Sequence, residues 1–251
     1  MLSFTEFHTD RPTSIVWLHG AGITGWMWDK QVADLTEHHS IVVDLPGHGA
    51  SHGIHWVSLD ETADLVAEVI RTHAHGQKAV VVGLSMGGDI GLRLLARHPE
   101  LVRCAVLTGM IAKPLSAAVL WLQQSFAPLA SRPFFRRAAA ASMKLSPERT
   151  AEYLATVPAI RTDDYRAIVT EIFRGVSLDG LESVTVPTLA MAGAKEPKAA
   201  RDSTAIIADR MPGATARIEP GVGHTWNIEA PDRFTATVRD WIAIHVTDPG
   251  R

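Results

Sequence analysis

A serine flanked by glycines is the part of this sequence that most directly suggests chemistry. Gly83, Ser85 and Gly87 form a G-x-S-x-G pattern between an apolar run at 79–82 and a helical pattern at 89–97. In such a strand–turn–helix context the turn exposes the serine hydroxyl, and the glycines let strand and helix approach closely. Because a free serine is a weak nucleophile, the pattern requires a general base, a carboxylate that orients it, and donors for an oxyanion.

The predicted general base is His224, which lies in a glycine-rich turn after the last apolar run. A loop histidine at the end of a strand can reach a serine on a neighbouring turn. His19 is instead expected to hold its own loop in shape. Eight of the other histidines, among them His39, are expected to be solvated. No histidine shows ligand spacing with supporting carboxylates, so neither a metal nor another cofactor is expected.

The predicted acid is Glu196, which follows the apolar run at 188–191. It precedes the histidine in the chain, as the order of such triads requires, and a strand-end turn gives a carboxylate good reach. Asp202 is the alternative, six residues later and already in the expected next helix. The remaining possibility is that Glu196 only forms a surface pair with Lys195.

The predicted oxyanion donors are the backbone N–H groups of Ala21 and Met86. Ala21 follows His19 and Gly20 in a glycine-rich turn at the end of the first strong strand, and Met86 directly follows the serine. Acyl transfer needs two such donors. Gly22 could replace Ala21, because the sequence does not fix the register of the turn.

Short apolar runs that alternate with helical patterns indicate the elements that position these groups. The runs without period-2 alternation are typical of strands covered on both faces; they lie at 14–18, 40–44, 78–82, 104–107, 188–191 and 215–218. Helical patterns cover residues 59–74 and 231–246 as well as the segment after the serine. The alternation predicts an α/β fold with a mostly parallel, doubly wound sheet.

Residues 110–183 break this alternation. They carry no strand-like run and are divided by prolines at positions 114, 128, 133, 147 and 158, which indicates several helices. The segment lies between two strands of the core, so it is an insertion. The predicted division is a core at 1–109 and 184–251 and a helical insertion at 110–183.

Composition and charge exclude several classes of partner. The chain has 251 residues, of which 46% are hydrophobic and 20% charged, and its net charge is −3. No basic surface is indicated, so neither nucleic acid nor a membrane is an expected partner. The N-terminus lacks a secretory pattern and the single cysteine, Cys104, lies in an apolar run, so a cytoplasmic protein is expected. The sequence does not indicate an oligomeric state.

Taken together, five motifs resemble the α/β-hydrolase fold family in its lid-bearing, esterase-like branch. They are the oxyanion turn at 19–20, a D-x-P-G-x-G-x-S loop at 44–51, the serine turn at 83–88, the strand and turn at 187–193 and the base turn at 223–224. The resemblance implies that residues 110–183 form a lid after the sixth strand. The 28-residue separation of Glu196 from His224 is similar to the family's spacing, although the family usually has aspartate there. Only 13 residues precede the first strong strand, so the two opening strands of the family are shortened or one is missing.

The resemblance implies acyl transfer, with hydrolysis of a small or medium, largely apolar carboxylic ester as the expected reaction and a small-molecule ester as the partner. Amide, thioester and carbon–carbon cleavage, a lyase-like activity and a non-catalytic ligand sensor remain alternatives. The residues expected to contact the substrate are aromatic: Trp26, Trp121, Phe126 and Trp226. Arginines in the insertion, such as Arg132, are interpreted as a solvated helix face.

Overall fold

A seven-stranded sheet in the order β1-β3-β2-β4-β5-β6-β7 forms the centre of the computed structural model, which describes residues 1–129, 132–143, 145–156 and 160–246. Strands β2 to β7 run parallel, and β1 runs antiparallel to β3. The strands are β1 (Ser3–Phe7), β2 (Ser14–Leu18), β3 (His39–Asp44), β4 (Ala79–Leu84), β5 (Val102–Thr108), β6 (Thr188–Gly193) and β7 (Ala214–Glu219). The predicted α/β class and the mostly parallel sheet are confirmed.

Ten α-helices in the described ranges surround or extend this sheet. They are α1 (Asp29–Asp34), α2 (Leu59–His73), α3 (Met86–Arg97), α4 (Ala117–Phe126), α5 (Pro133–Ser142), α6 (Pro147–Thr156), α7 (Thr162–Phe173), α8 (Lys198–Arg210), α9 (Trp226–Glu229) and α10 (Pro231–His245). Of the helices that the structure describes, none has the length and apolar character needed to cross a membrane.

The central strands are buried on both faces, which explains their continuous apolar sequences. Every residue of β2, β4 and β6 is buried. Successive side chains point to opposite faces of a strand, so Ile15 and Trp17 pack in one core with Phe234 of α10, whereas Val16 packs in the other core with Val66 of α2. The functional loops therefore leave a sheet that is held from both sides.

Strand β1 is the element that the sequence analysis does not predict. It pairs with β3 from Ser3 opposite Asp44 to Phe7 opposite Ser40, and three of its five residues are only partly buried. An edge strand needs few apolar residues, so its sequence carries only a weak signal. The chain has one opening strand where the family resemblance implies two.

The helical insertion lies between β5 and β6, as α4 to α7 show. It follows the fifth strand rather than the sixth, because only one opening strand is present. Pro133 and Pro147 are the first residues of α5 and α6, a position that suits proline because its missing N–H would have no partner there. Pro158 lies outside the described residues.

Two polar residues of the sheet, His39 and Cys104, are buried. His39 is buried rather than solvated: its Nδ1 lies 3.0 Å from Ser14 Oγ and its Nε2 lies 3.1 Å from Glu6 Oε1. Cys104 is also buried, and burial raises the pKa of its thiol to about 12. A thiol held protonated is a core residue and not a nucleophile.

Candidate active site

The serine turn has a strained backbone. Ser85 directly follows β4 and precedes α3, and it has φ 58° and ψ −121°. A non-glycine residue with positive φ is uncommon, and such strain persists only where the surroundings enforce it. The Ser85 N–H donates to the carbonyl of Thr108 over 2.8 Å, which ties the turn to the end of β5.

The glycines around Ser85 are required by close backbone contacts. A Cβ on Gly83 would lie 2.3 Å from the carbonyl oxygen of Gly87, and a Cβ on Gly87 would lie 2.1 Å from that of Leu18. Backbone atoms cannot move aside as a flexible side chain can. The G-x-S-x-G pattern therefore reflects the packing of α3 against β4 and the end of β2.

Glu196 and His224 form a direct pair. Glu196 Oε2 lies 2.6 Å from His224 Nδ1, and the Gly193 N–H donates to Oε1 over 2.8 Å. The carboxylate is almost fully buried, with 1% of its side chain exposed, whereas 44% of the His224 side chain is exposed. With Nδ1 bound to a carboxylate, Nε2 is the nitrogen that can accept a proton.

Asp202, the alternative acid, has a different environment. It lies in α8, with 48% of its side chain exposed, and its carboxylate pairs with Lys198 Nζ at 2.5 Å. Glu196 pairs with His224 rather than with Lys195, whose ammonium lies 3.7 Å from Glu229. The geometry therefore favours Glu196 over both alternatives, and its catalytic role remains a prediction.

The end of β5 connects the serine turn to the histidine. Gly109 has φ +75°, and a Cβ there would lie 2.6 Å from His224 Cε1, so the imidazole ring packs directly on this glycine. The preceding residue, Thr108, accepts the Ser85 N–H through its carbonyl and the Trp226 indole N–H through its hydroxyl. Thus one dipeptide contacts both the turn of Ser85 and the ring of His224.

His19 holds the oxyanion turn as a neutral ring. The Leu45 N–H donates to Nε2 over 3.0 Å, so Nδ1 carries the hydrogen and donates to the Gly20 carbonyl over 2.8 Å. Burial lowers the pKa of His19 to about 4, which keeps the ring uncharged near neutrality. Because the Gly20 carbonyl and the Ala21 N–H belong to one planar peptide, the same bond fixes the direction of the Ala21 N–H.

His48 distinguishes Ala21 from Gly22 as the donor. The Gly22 N–H donates to His48 Nε2 over 3.0 Å, and His48 Nδ1 donates to the Pro46 carbonyl over 2.9 Å. Burial, with a smaller contribution from the nearby His19, lowers the pKa of His48 to about 3. Since the Gly22 N–H is already used, the geometry favours Ala21 as the oxyanion donor.

The second predicted donor, Met86, is the first residue of α3. The first N–H groups of a helix have no acceptor within the helix, and they carry the positive end of its dipole. This backbone position beside Ser85 is suited to a developing negative charge.

The four aromatic residues expected to contact the substrate have different environments. Trp26 is partly buried and contacts Tyr153 of α6 edge to face, at 6.3 Å between ring centroids. Trp121 is 68% exposed. Trp226 has no exposed surface and packs against Phe234 at 4.6 Å, so it is a core residue and the expectation of a substrate contact is wrong for this arrangement. The side chain of Phe126 lies outside the described part of the chain.

Sequence reasoning misses three contributors to this arrangement. His48 lies within the D-x-P-G-x-G-x-S loop, but its bond to Gly22 spans 26 residues and leaves no local pattern. Thr108 and Gly109 follow an apolar strand directly, and a Thr-Gly pair there could have marked a turn at the carboxyl edge of the sheet.

Comparison with known proteins places the chain in a family. The sequence profile described as "Alpha/beta hydrolase family" matches residues 15–237. The chain is 27% identical over 238 residues to an (E)-2-((N-methylformamido)methylene)succinate hydrolase of Acinetobacter baylyi, covering 91% of this chain and 89% of that one. It is also 27% identical over 257 residues to a pimeloyl-[acyl-carrier protein] methyl ester esterase of Pectobacterium atrosepticum, covering 90% and 92%.

A solved structure has the same fold over nearly the whole chain. The thermophilic esterase of Thermogutta terrifontis superposes with a TM-score of 0.80 at 23% identity, covering 98% of this chain and 94% of that one. At this identity the likeness shows the fold alone. The profile match over most of the chain, together with the mostly parallel sheet, shows that this chain belongs to the alpha/beta hydrolase family.

Proposed function

We propose that this chain is a serine hydrolase that cleaves a small or medium, largely apolar acyl ester through an acyl-enzyme. Ser85 attacks the ester carbonyl while His224 accepts its proton at Nε2 and returns it to the leaving alcohol. Water then attacks the acyl-enzyme with the same base, which frees the acid and Ser85. Glu196 orients the ring and stabilises the imidazolium.

The observation that carries this proposal is the environment of His224. Its Nδ1 lies 2.6 Å from the buried Glu196 carboxylate, and its ring packs on Gly109 beside the residue that holds Ser85. A buried carboxylate at Nδ1 selects the tautomer in which Nε2 can act as a base. The strained φ of Ser85 supports its assignment as the nucleophile.

The oxyanion in this proposal is bound by the N–H groups of Ala21 and Met86. His19 directs the peptide of Ala21, and the start of α3 supplies Met86. Donors that are fixed before the reaction stabilise the charge that develops in the transition state without a reorganisation cost.

Residues 110–183 form a lid in this proposal, over a core of 1–109 and 184–251. Three contacts support it, of which the first two join the Tyr153 hydroxyl of α6 to the Gly22 carbonyl over 3.2 Å and the Trp56 N–H to Asp164 of α7 over 3.3 Å. Glu171 of α7 also accepts the Trp56 indole N–H over 3.1 Å. The lid then selects the acyl group, with Trp26, Trp121 and Phe126 as proposed contacts.

The comparisons support the reaction class. A relative named as a methyl ester esterase favours an ester among the substrates that the same machinery could cleave.

The test is turnover of p-nitrophenyl esters of increasing acyl length by the wild type, Ser85→Ala and Ser177→Ala. Ser177 is an exposed serine that is remote in sequence from the serine turn, and it serves as the matched control. We expect Ser85→Ala to lose turnover of every ester and Ser177→Ala to retain it. Esterase activity that survives in Ser85→Ala would contradict the proposal. If a fluorophosphonate labels Ser85 but the protein hydrolyses no ester, the proposed reaction would change to carbon–carbon bond cleavage.

A further inference from the structure

The oxyanion turn is held through three consecutive peptide units, each by a different side chain. The Gly20–Ala21 unit is held through its carbonyl by His19 at 2.8 Å, and the Ala21–Gly22 unit through its N–H by His48 at 3.0 Å. The unit after Gly22 is held through the Gly22 carbonyl by the Tyr153 hydroxyl at 3.2 Å. Two restraints come from the core and the third from the inserted helix α6.

From this geometry we infer that Tyr153 is a positioning residue, through which the seating of α6 fixes the oxyanion turn. The inference rests on the proposed acyl transfer, because it concerns the donor Ala21. Tyr153 does not touch the reacting atoms; it acts through the backbone of Gly22. The position of the lid is thereby coupled to the stabilisation of the transition state.

Hydrogen bonds are decisive in this turn because packing contributes little at Gly22. This glycine has φ +74°, and apart from its two chain neighbours no heavy atom of the described residues lies within 4 Å of the position that a Cβ would occupy. A residue with open space around it and a conformation that other residues rarely adopt depends on its backbone bonds for its orientation. Loss of the Tyr153 bond therefore frees one side of the turn.

Tyr153 is itself firmly held. It is 4% exposed, its carbonyl accepts from Arg136 Nη2 over 3.0 Å, and the Arg136 guanidinium lies 5.3 Å from its ring centroid. Burial raises the pKa of the phenol, so the hydroxyl remains a hydrogen-bond donor through the neutral range. The restraint on Gly22 thus comes from a fixed, protonated group.

A second contact of α6 lies beside the same turn. Arg149 Nη1 donates to Asp29 Oδ2 over 3.1 Å, and its guanidinium lies 5.5 Å from the centroid of the Trp26 ring. Trp26 in turn contacts the ring of Tyr153. The start and the middle of α6 therefore both contact the segment that follows the oxyanion turn. A shift of α6 would change these contacts and, with them, the position of the turn.

The test compares Tyr153→Phe with Tyr165→Phe. These are the two tyrosines of the chain, and Tyr165 lies partly buried in α7, so it is a matched control for loss of a phenolic hydroxyl. On p-nitrophenyl butyrate we expect Tyr153→Phe to lower kcat by roughly five- to tenfold with KM changed less than twofold, because the lost bond supports the transition state rather than substrate binding. Tyr165→Phe should retain the wild-type kcat.

A pair of matched substrates separates positioning from a general structural role. A thionoester carries sulfur in place of the carbonyl oxygen and accepts hydrogen bonds weakly, so it gains little from an oxyanion site. We expect Tyr153→Phe to reduce the ratio of ester to thionoester turnover several-fold. This ratio is independent of the folded fraction, because both substrates meet the same enzyme.

An unchanged ratio in Tyr153→Phe, or an equal fall in kcat in Tyr165→Phe, would overturn the inference. These failures are distinguishable from failure of the proposed function. If Ser85→Ala abolishes turnover while Tyr153→Phe matches the wild type, only the positioning role is wrong. If Ser85→Ala retains turnover, the acyl-transfer proposal itself is wrong.

Discussion

The strand-end site and the inserted helices differ in how they are held. At the site, the residues that orient the proposed machinery are buried and hydrogen-bonded: the whole-residue exposures of His19, His48 and Glu196 are 0%, 2% and 4%. Across the insertion, large apolar side chains are instead exposed to solvent, namely Val119, Trp121, Leu122, Leu129 and Phe134. The polar side chains that hold the candidate site have defined partners, whereas much of the apolar surface of α4 and α5 is exposed.

This contrast suggests a division between reaction and selection. Catalysis by fixed dipoles requires donors and bases that do not reorganise during the reaction, and in the proposed mechanism the core supplies them. Selection among acyl groups requires a surface that can adapt, and such surfaces come from segments with few buried contacts. Substitutions in the two regions should therefore have different kinetic signatures.

The largest fall in kcat is expected from a substitution of Glu196, the proposed acid. In Glu196→Gln the amide can donate to His224 Nδ1 and stabilise the wrong tautomer, so kcat should fall by roughly 10³- to 10⁴-fold. Asp202→Asn is the control, since Asp202 pairs with Lys198 on the surface, and it should retain most activity. Steady-state kinetics on one ester measures both. An essential Asp202 with a dispensable Glu196 would show that the acid lies in α8.

A smaller and more selective effect is expected from the insertion. Trp121→Ala should change relative kcat/KM across an ester series by several-fold, because Trp121 lies in the proposed lid that selects the acyl group. Labelling by a small fluorophosphonate should change little. Ile244→Ala removes a similarly exposed apolar side chain from α10 and is the matched control. An equal fall in kcat/KM on every ester and in the rate of labelling would show that the insertion does not act differently from the core.

The smallest effect, on stability and its pH dependence, is expected at Asp89, a buried carboxyl that has no role in the proposed reaction. Asp89 lies one turn after Ser85 in α3 and is fully buried, and among the described residues no side chain donates a hydrogen bond to its carboxyl oxygens. Burial raises its pKa well above the usual value. The folded state therefore keeps a proton that the unfolded state releases above its own pKa, so this group lowers stability as the pH rises towards the folded pKa.

Asp89→Asn removes that titration while preserving the shape of the side chain. The stability of the variant relative to the wild type should therefore increase between pH 5 and pH 8. Urea midpoints at the two pH values measure the difference. If the urea midpoints of both proteins change by the same amount between pH 5 and pH 8, Asp89 is not protonated in the folded state.

The sequence predicts the parts of the fold that have continuous apolar runs, and it fails where the signal is weak or distant. The six predicted strands are all present, because each is apolar and buried, whereas β1 is an edge strand with a polar pattern. Ser85 is found from a local motif whose glycines are imposed by backbone contacts.

The rest of the site depends on contacts that the sequence does not record. The choice of Ala21 over Gly22 requires the bond from Gly22 to His48, which is 26 residues away. Trp226 was expected near the substrate because it follows His224 closely, but its indole N–H donates to Thr108 and its ring fills the core. Proximity in sequence therefore indicates the functional loops, but not which of their side chains face the site.

The central claim is that Ser85 is the nucleophile activated by His224. The most direct measurement is the mass-spectrometric location of the adduct formed by a fluorophosphonate, in the wild type and in Ser85→Ala and His224→Ala. The account predicts one adduct on the wild type, on the peptide that contains Ser85, none on Ser85→Ala and strongly slowed labelling of His224→Ala. An adduct on another serine, or labelling of Ser85→Ala at the wild-type rate, would contradict it.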